Sequence, residues 1–126
     1  MNSFSAPMQA FLTERHLASL ATLRADGSLH VVPVGFTVAG GCARVITFAS
    51  AVKVANVRRS GRASVTQIDG ARWVTLEGPA RVLSDDESVR FAVDAYAARY
   101  RQPKVRTDRV VIEIEIERVM CNSGLR

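Results

Sequence analysis

HLASLATLRADGSLHVVPVGFTVAGG, residues 16–41, holds two β-favouring runs on either side of Asp26-Gly27. An Asp-Gly pair between such runs is the strongest short-range signal for a tight hairpin. In the second run His30, Val32, Val34, Phe36 and Val38 share one face, and Leu29, Val31, Pro33, Gly35 and Thr37 share the other. Pro33 has no N–H to give to a ladder, so this strand has an edge, a bulge or a ligand beside it.

Working outward, PMQAFLTER (7–15) reads as a first helix, with Pro7 near its start and Met8, Phe11 and Leu12 at helical spacing. CARVITFAS (42–50) is a third strand, and AVKVANVRRSG (51–61) a short helix closed by Gly61. RASVTQIDGARWVTLEGPARVLS (62–84) is a second hairpin, turning at Asp69-Gly70. SDDESVRFAVDAYAARYRQ (84–102) is the clearest helix. Ser84 and Glu87 make a capping box, and Val89, Ala92, Val93, Tyr96 and Tyr100 form a core stripe. RVVIEIEIERV (109–119) alternates strictly, with Val111, Glu113, Glu115 and Glu117 on a wet face and Val110, Ile112, Ile114 and Ile116 on a buried one. Six hairpin-connected strands with short helices between them predict a mainly β, closed or partly closed antiparallel barrel, one domain over residues 1–126.

Composition narrows the function. The chain has 126 residues, 48% hydrophobic and 23% charged, which suits one globular domain with a real core. Its apolar stretches are too short to span a bilayer, and MNSFSAPMQAFLTERHL lacks the basic-then-apolar order of a secretory signal. Cys42 and Cys121 form neither a disulfide framework nor a zinc spacing, and His16 and His30 have no ligand partner at metal spacing. No metal, no membrane contact and a reduced cytoplasmic setting are expected. The net charge of +5 invites a nucleic-acid reading. Against it, the arginines are interleaved with acids and not with aromatics, so no nucleic-acid partner is expected. A small polyanionic ligand suits the same field. No nucleophile elbow, P-loop or dinucleotide fingerprint is present.

Lys53 is the oddity. With Ser50 as N-cap it becomes the third residue of its helix, where the macrodipole makes a cation unfavourable by roughly 0.3–1 kcal/mol. A bound phosphate would satisfy both the ammonium and the free amides, with Asn56 one turn on along the same face. The plainer reading is a lysine that snorkels outward from a solvated face. Trp73 is by default a core residue, otherwise a stacking surface for a planar ligand or a second subunit.

FLTERHLASLATLRADGSLHVVPVGFT (11–37), SAVKVANVRRSG (50–61), DGARWVTLEGPARV (69–82) and RVVIEIEIERV (109–119), in this order, resemble the flavin/deazaflavin oxidoreductases of the pyridoxamine-phosphate-oxidase-like split-barrel superfamily. The likeness covers roughly residues 11–119. It implies a six-stranded split β-barrel of the FMN-binding type, forming a homodimer with cofactor sites between subunits. It also implies hydride transfer from reduced coenzyme F420 to a small planar acceptor, biliverdin foremost. The alternatives are an FMN-binding flavoprotein and a non-catalytic cofactor- or haem-binding module. The resemblance assigns Thr47, Ser50 and Lys53 to the cofactor phosphate, with Asn56 and one of Arg58 and Arg59, Arg59 foremost, in support. It assigns His30, Val32, Pro33 and Val34 to the ring, Arg72 and Trp73, contributed by the second subunit, to a lid, and arginines such as Arg72 or Arg99 to the substrate's carboxylates. It requires no catalytic side chain, because the redox chemistry belongs to the cofactor. FMN enzymes of this kind often carry an Arg-x-(apolar)₃-Lys run, which ARVITF (43–48) does not match.

Overall fold

The structure, a computed structural model, describes residues 4–126. The elements are α1 (Ala6–Thr13), β1 (Ala18–Leu23), β2 (Leu29–Val34), β3 (Thr37–Ala39), β4 (Cys42–Phe48), α2 (Val52–Ser60), β5 (Arg62–Asp69), β6 (Arg72–Leu83), α3 (Asp86–Arg99), β7 (Arg109–Glu115) and β8 (Arg118–Cys121). The strand order is β2-β1-β5-β6-β7-β4-β3, antiparallel throughout, with β8 on the other side of β6.

One long strand makes this a split barrel. β6 pairs β5 from Arg72 to Pro79 and β7 from Ala80 to Leu83. It therefore belongs to two sheets, and Leu20, Val65, Leu76, Val45, Ile112 and Ile114 from both sheets fill the space between them. Fully burying such side chains supplies the main driving force, roughly 1.5–3 kcal/mol each.

The class is as expected, but eight strands replace six. The run 29–38 breaks at Gly35, so β2 stays on the edge beside β1 while β3 turns to β4. A Cβ on Gly35 would lie 2.8 Å from Tyr96 Cε2 and 3.0 Å from Tyr100 Cε2, so α3 presses its rings onto the bend. Tyr100 Oη accepts the Phe36 N–H at 3.2 Å and donates to the His16 carbonyl at 2.6 Å. Arg99 donates to the carbonyls of Phe36 and Glu14 and to Gln67 Oε1. With its donors so engaged, Arg99 straps α3 to β5 and to the chain on either side of β1 and β2. The run 109–119 breaks after Glu115, where the Ile116 and Glu117 amides turn to the carbonyls of Gly41 and Glu77, both at 3.0 Å.

Pro33 sits on the edge strand, where its missing N–H costs nothing. Val111, expected on the wet face, is fully buried, because α3 packs over β4 and β7 there. The capping box at Ser84 is not made. Asp85 is the N-cap, its Oδ2 accepting the Ser88 amide at 3.0 Å. Likewise α1 begins earlier, at Ala6, and stops at Thr13. Ser5 caps it, accepting the Met8 amide at 3.2 Å and donating to the Leu125 carbonyl at 2.7 Å. Among the described residues no helix is long and apolar enough to cross a membrane.

Candidate cofactor site

β4 runs into α2 through a three-residue link, and α2 ends at Gly61, whose φ of 70° closes the helix as expected. The N-cap is Ala51, not Ser50, and no side chain caps the helix. Ser50 is exposed in the preceding turn. Lys53 thus becomes the second helical residue, and the first-turn amides of Val52 and Lys53 have no intrahelical acceptor. The Lys53 ammonium is half-buried with no carboxylate partner among the described residues, and burial pulls its pKa below the usual lysine value. Its Nζ lies 6.0 Å from the centroid of the Phe48 ring. A desolvated cation at the positive end of a helix dipole is unfavourable until an anion arrives.

Thr47, just before this link, is 3% exposed, and its Oγ1 has no hydrogen-bond partner among the described residues. A buried hydroxyl without a partner costs about 1–3 kcal/mol, which marks the spot as built for something polar.

Asn56 does not reach toward an anion. It is 3% exposed, with Nδ2 donating to Thr22 Oγ1 at 3.1 Å and Oδ1 accepting from Arg59 at 2.7 Å. Arg59 also donates to the Leu23 carbonyl at 2.9 Å. Together they pin α2 to β1. Thr22 lies opposite His30 on β2, and His30 Nδ1 is buried without a partner among the described residues. His30, Val32 and Val34 form the inward row of β2, whereas Pro33 is exposed on the outward one. A flat ring lying on the inward row does not meet the Pro33 side chain.

Arg72 and Trp73 stand apart from this end of the chain. α2 leads into Arg62, which pairs Pro79, and Trp73 lies six residues further along β6, on the order of 20 Å at strand rise. Arg72 binds Glu14 through two 2.9 Å contacts and Asp69 through one of 2.6 Å, and its guanidinium stacks on Phe11 at 4.5 Å. Glu14, His16 and Asp69 bring their ligand-type atoms within 4.8 Å of one another, and Arg72 pairs with both carboxylates. Trp73, 38% exposed, lines a 650 Å³ groove with Met8, Met120 and Leu125. Two residues near Lys53 went unread in the sequence: Arg106 stacks on Phe48, and Arg109 lies opposite it on β7.

Two antiparallel sheets joined by a shared strand define a split-barrel protein, with an uncapped helix start at one end and a lysine there that has no carboxylate partner among the described residues. The chain belongs to the pyridoxamine 5'-phosphate oxidase family, whose model matches residues 4–121. It is 55% identical over 118 residues to the F420H(2)-dependent biliverdin reductase of Mycobacterium tuberculosis (strain CDC 1551 / Oshkosh), covering 92% of this chain and 86% of that protein. Its fold matches the crystal structure of a conserved hypothetical protein, Rv2991, from Mycobacterium tuberculosis, with TM-score 0.82 and 25% identity over 96% of this chain and 84% of that one. A solved F420 reductase superposes with TM-score 0.75 and 21% identity, covering 89% of this chain and 94% of that one.

Proposed function

We propose that this protein is an oxidoreductase that moves hydride from reduced coenzyme F420 to a conjugated planar acceptor, with biliverdin the foremost candidate. The observation that carries the reading is the half-buried, unpaired Lys53 at an uncapped helix start, joined to 55% identity with a relative of that activity. The residues present fit a phosphate-bearing cofactor. Lys53 and the first-turn amides of α2 hold the anion, and Thr47 Oγ1 supplies a further polar contact at the same link. His30 and Val32 line the ring, with the free His30 Nδ1 as a hydrogen-bonding edge. Asn56 and Arg59 act through position, holding α2 against β1. When bound, the deazaflavin supplies the hydride chemistry, and the chain contributes orientation and field.

FMN is the less suited cofactor. Arg44, the basic residue that opens the expected FMN run, is turned away to Glu113 at 3.2 Å and to the Ala39 carbonyl at 2.9 Å. The functional unit is a homodimer in this proposal. Leu29, Val31, Ile68, Trp73 and Met120 expose large apolar area on the outward face of the β2-β1-β5-β6 sheet, which a second copy would cover. Such an assembly also brings Trp73 to a neighbour's cofactor, which its own chain's geometry does not.

Parallel titrations with F420 and FMN, followed by mixing the reduced F420 complex with biliverdin, test the proposal. Tight F420 binding and bleaching of biliverdin are expected. Binding of FMN alone would replace F420 in the reading, and F420 binding without reduction of any acceptor would favour a storage module. Light scattering measures the dimer, and Val31→Asp is expected to yield monomer.

A further inference from the structure

Three cations gather around Phe48, the last residue of β4. Lys53 Nζ lies 6.0 Å from the ring centroid and the Arg106 guanidinium carbon 4.5 Å from it. Arg109 stands directly opposite Phe48 in the β4–β7 register. It is held by carbonyls alone, donating to Lys104 O at 2.7 Å and to Thr47 O at 3.5 Å. Carbonyls fix the position of a guanidinium without neutralising it. Burial first, and then the neighbouring charge of Arg106, push the Arg109 pKa down, with Asp108 opposing. Among the described residues the one carboxylate paired with any of the three is Asp108, which Arg106 grips at 2.9 and 3.0 Å.

The corner is thus larger than a single phosphate needs. The phosphate of the proposed cofactor would occupy Lys53 and the start of α2, and the chain of γ-linked carboxylates beyond it must lie on some neighbouring surface. Phe48 offers an apolar floor, and the two guanidiniums offer planar forks that suit carboxylates. Asp108 on Arg106 displays the contact that a tail carboxylate would make. We propose that Arg106 and Arg109 bind the polyglutamyl tail of the cofactor, making this protein selective for tail-bearing F420 over its tail-free form.

The proposal rests on the F420 reading above, and fluorescence titration with two probes separates the two. The probes are F420 with its tail and the same deazaflavin phosphate with the tail removed. Wild type is expected to bind the tailed probe about tenfold more tightly. Arg106→Gln and Arg109→Gln should abolish that preference and leave tail-free affinity unchanged, while Lys53→Ala weakens both probes alike. Asp108→Asn, which removes an internal competitor, should tighten only the tailed probe. Equal wild-type affinity for both probes, or arginine variants that weaken both alike, would overturn the tail assignment and leave the F420 reading standing. Wild type that binds neither probe overturns both. Should Arg109→Gln fail to fold, Arg106→Gln and Arg109→Lys decide the matter.

Discussion

A Cβ on Gly78 would stand 1.9 Å from the carbonyl oxygen of Glu115. β6 is leaving β5 for β7 at this point, and its backbone passes against the end of β7 more closely than any side chain permits. Gly78→Ala must therefore push two strand backbones apart, at an expected cost of about 3 kcal/mol or more. Gly27, at φ 84° with open space where its Cβ would be, is the control. Gly27→Ala strains only the left-handed backbone, by roughly 1–2 kcal/mol. Denaturant midpoints rank the two, and equal losses would contradict the close crossing.

Asn56 links α2 to β1 through a buried amide. Asn56→Ala strands the Thr22 hydroxyl and loosens Arg59, and is expected to destabilise by about 1–3 kcal/mol. Adding Thr22→Val should recover part of that loss, because both partners of the bond are then apolar. A double-mutant cycle gives the coupling, and strict additivity would show that the two side chains act independently.

Hydrogen bonds from Arg72, and then from His16, bring the Glu14 carboxyl down from 4.5 to about 2. A depressed folded-state pKa means that the contribution is complete above pH 4.5 and is lost as pH falls toward 2. Glu14→Gln is expected to lower the thermal midpoint near neutrality. The gap to wild type should close between pH 4.5 and 2, and a gap constant across that range would mean that Glu14 titrates alike folded and unfolded.

Lys53 titrates below the ordinary lysine value because it is partly desolvated. Only its charged form attracts phosphate, so F420 affinity is expected to be full at neutral pH and to fall in alkali before an exposed lysine would lose its proton. Lys53→Ala should raise Kd about tenfold with no such alkaline limb, and Lys53→Arg should stay charged and flat. Lys104→Ala should match wild type, since its carbonyl and not its ammonium meets Arg109. A Lys104 effect equal to that of Lys53 would show that net charge, not placement, governs binding.

Much of the barrel was legible because its signals are local. Asp26-Gly27 and Asp69-Gly70 mark turns whose glycines take φ of 84° and 62°, and Gly61 closes α2 in the same conformation. The break at Gly35 was hidden because alternation continues through Phe36 and Val38 while the backbone changes sheets. Its cause lies in Tyr96 and Tyr100, more than sixty positions away. Lys53 stood out against its own helix, but the crowding of Arg106 and Arg109 around Phe48 exists only once β4 and β7 are paired. Arg72 read as a free cation because its partner Glu14 is 58 positions distant. Helix starts slipped by one residue, at Asp85 because Ser84 beside it is also a capping type, and at Ala51 although Ser50 is the better capping type.

The bond between Ser5 and Leu125 joins groups 120 positions apart. On the ribosome α1 emerges long before its cap partner, so Met8, Phe11 and Leu12 wait without their full seat while both hairpins assemble. Vectorial synthesis therefore leaves an unsealed apolar seam until Leu125 is out, one that refolding of the intact chain from denaturant never has to hold open.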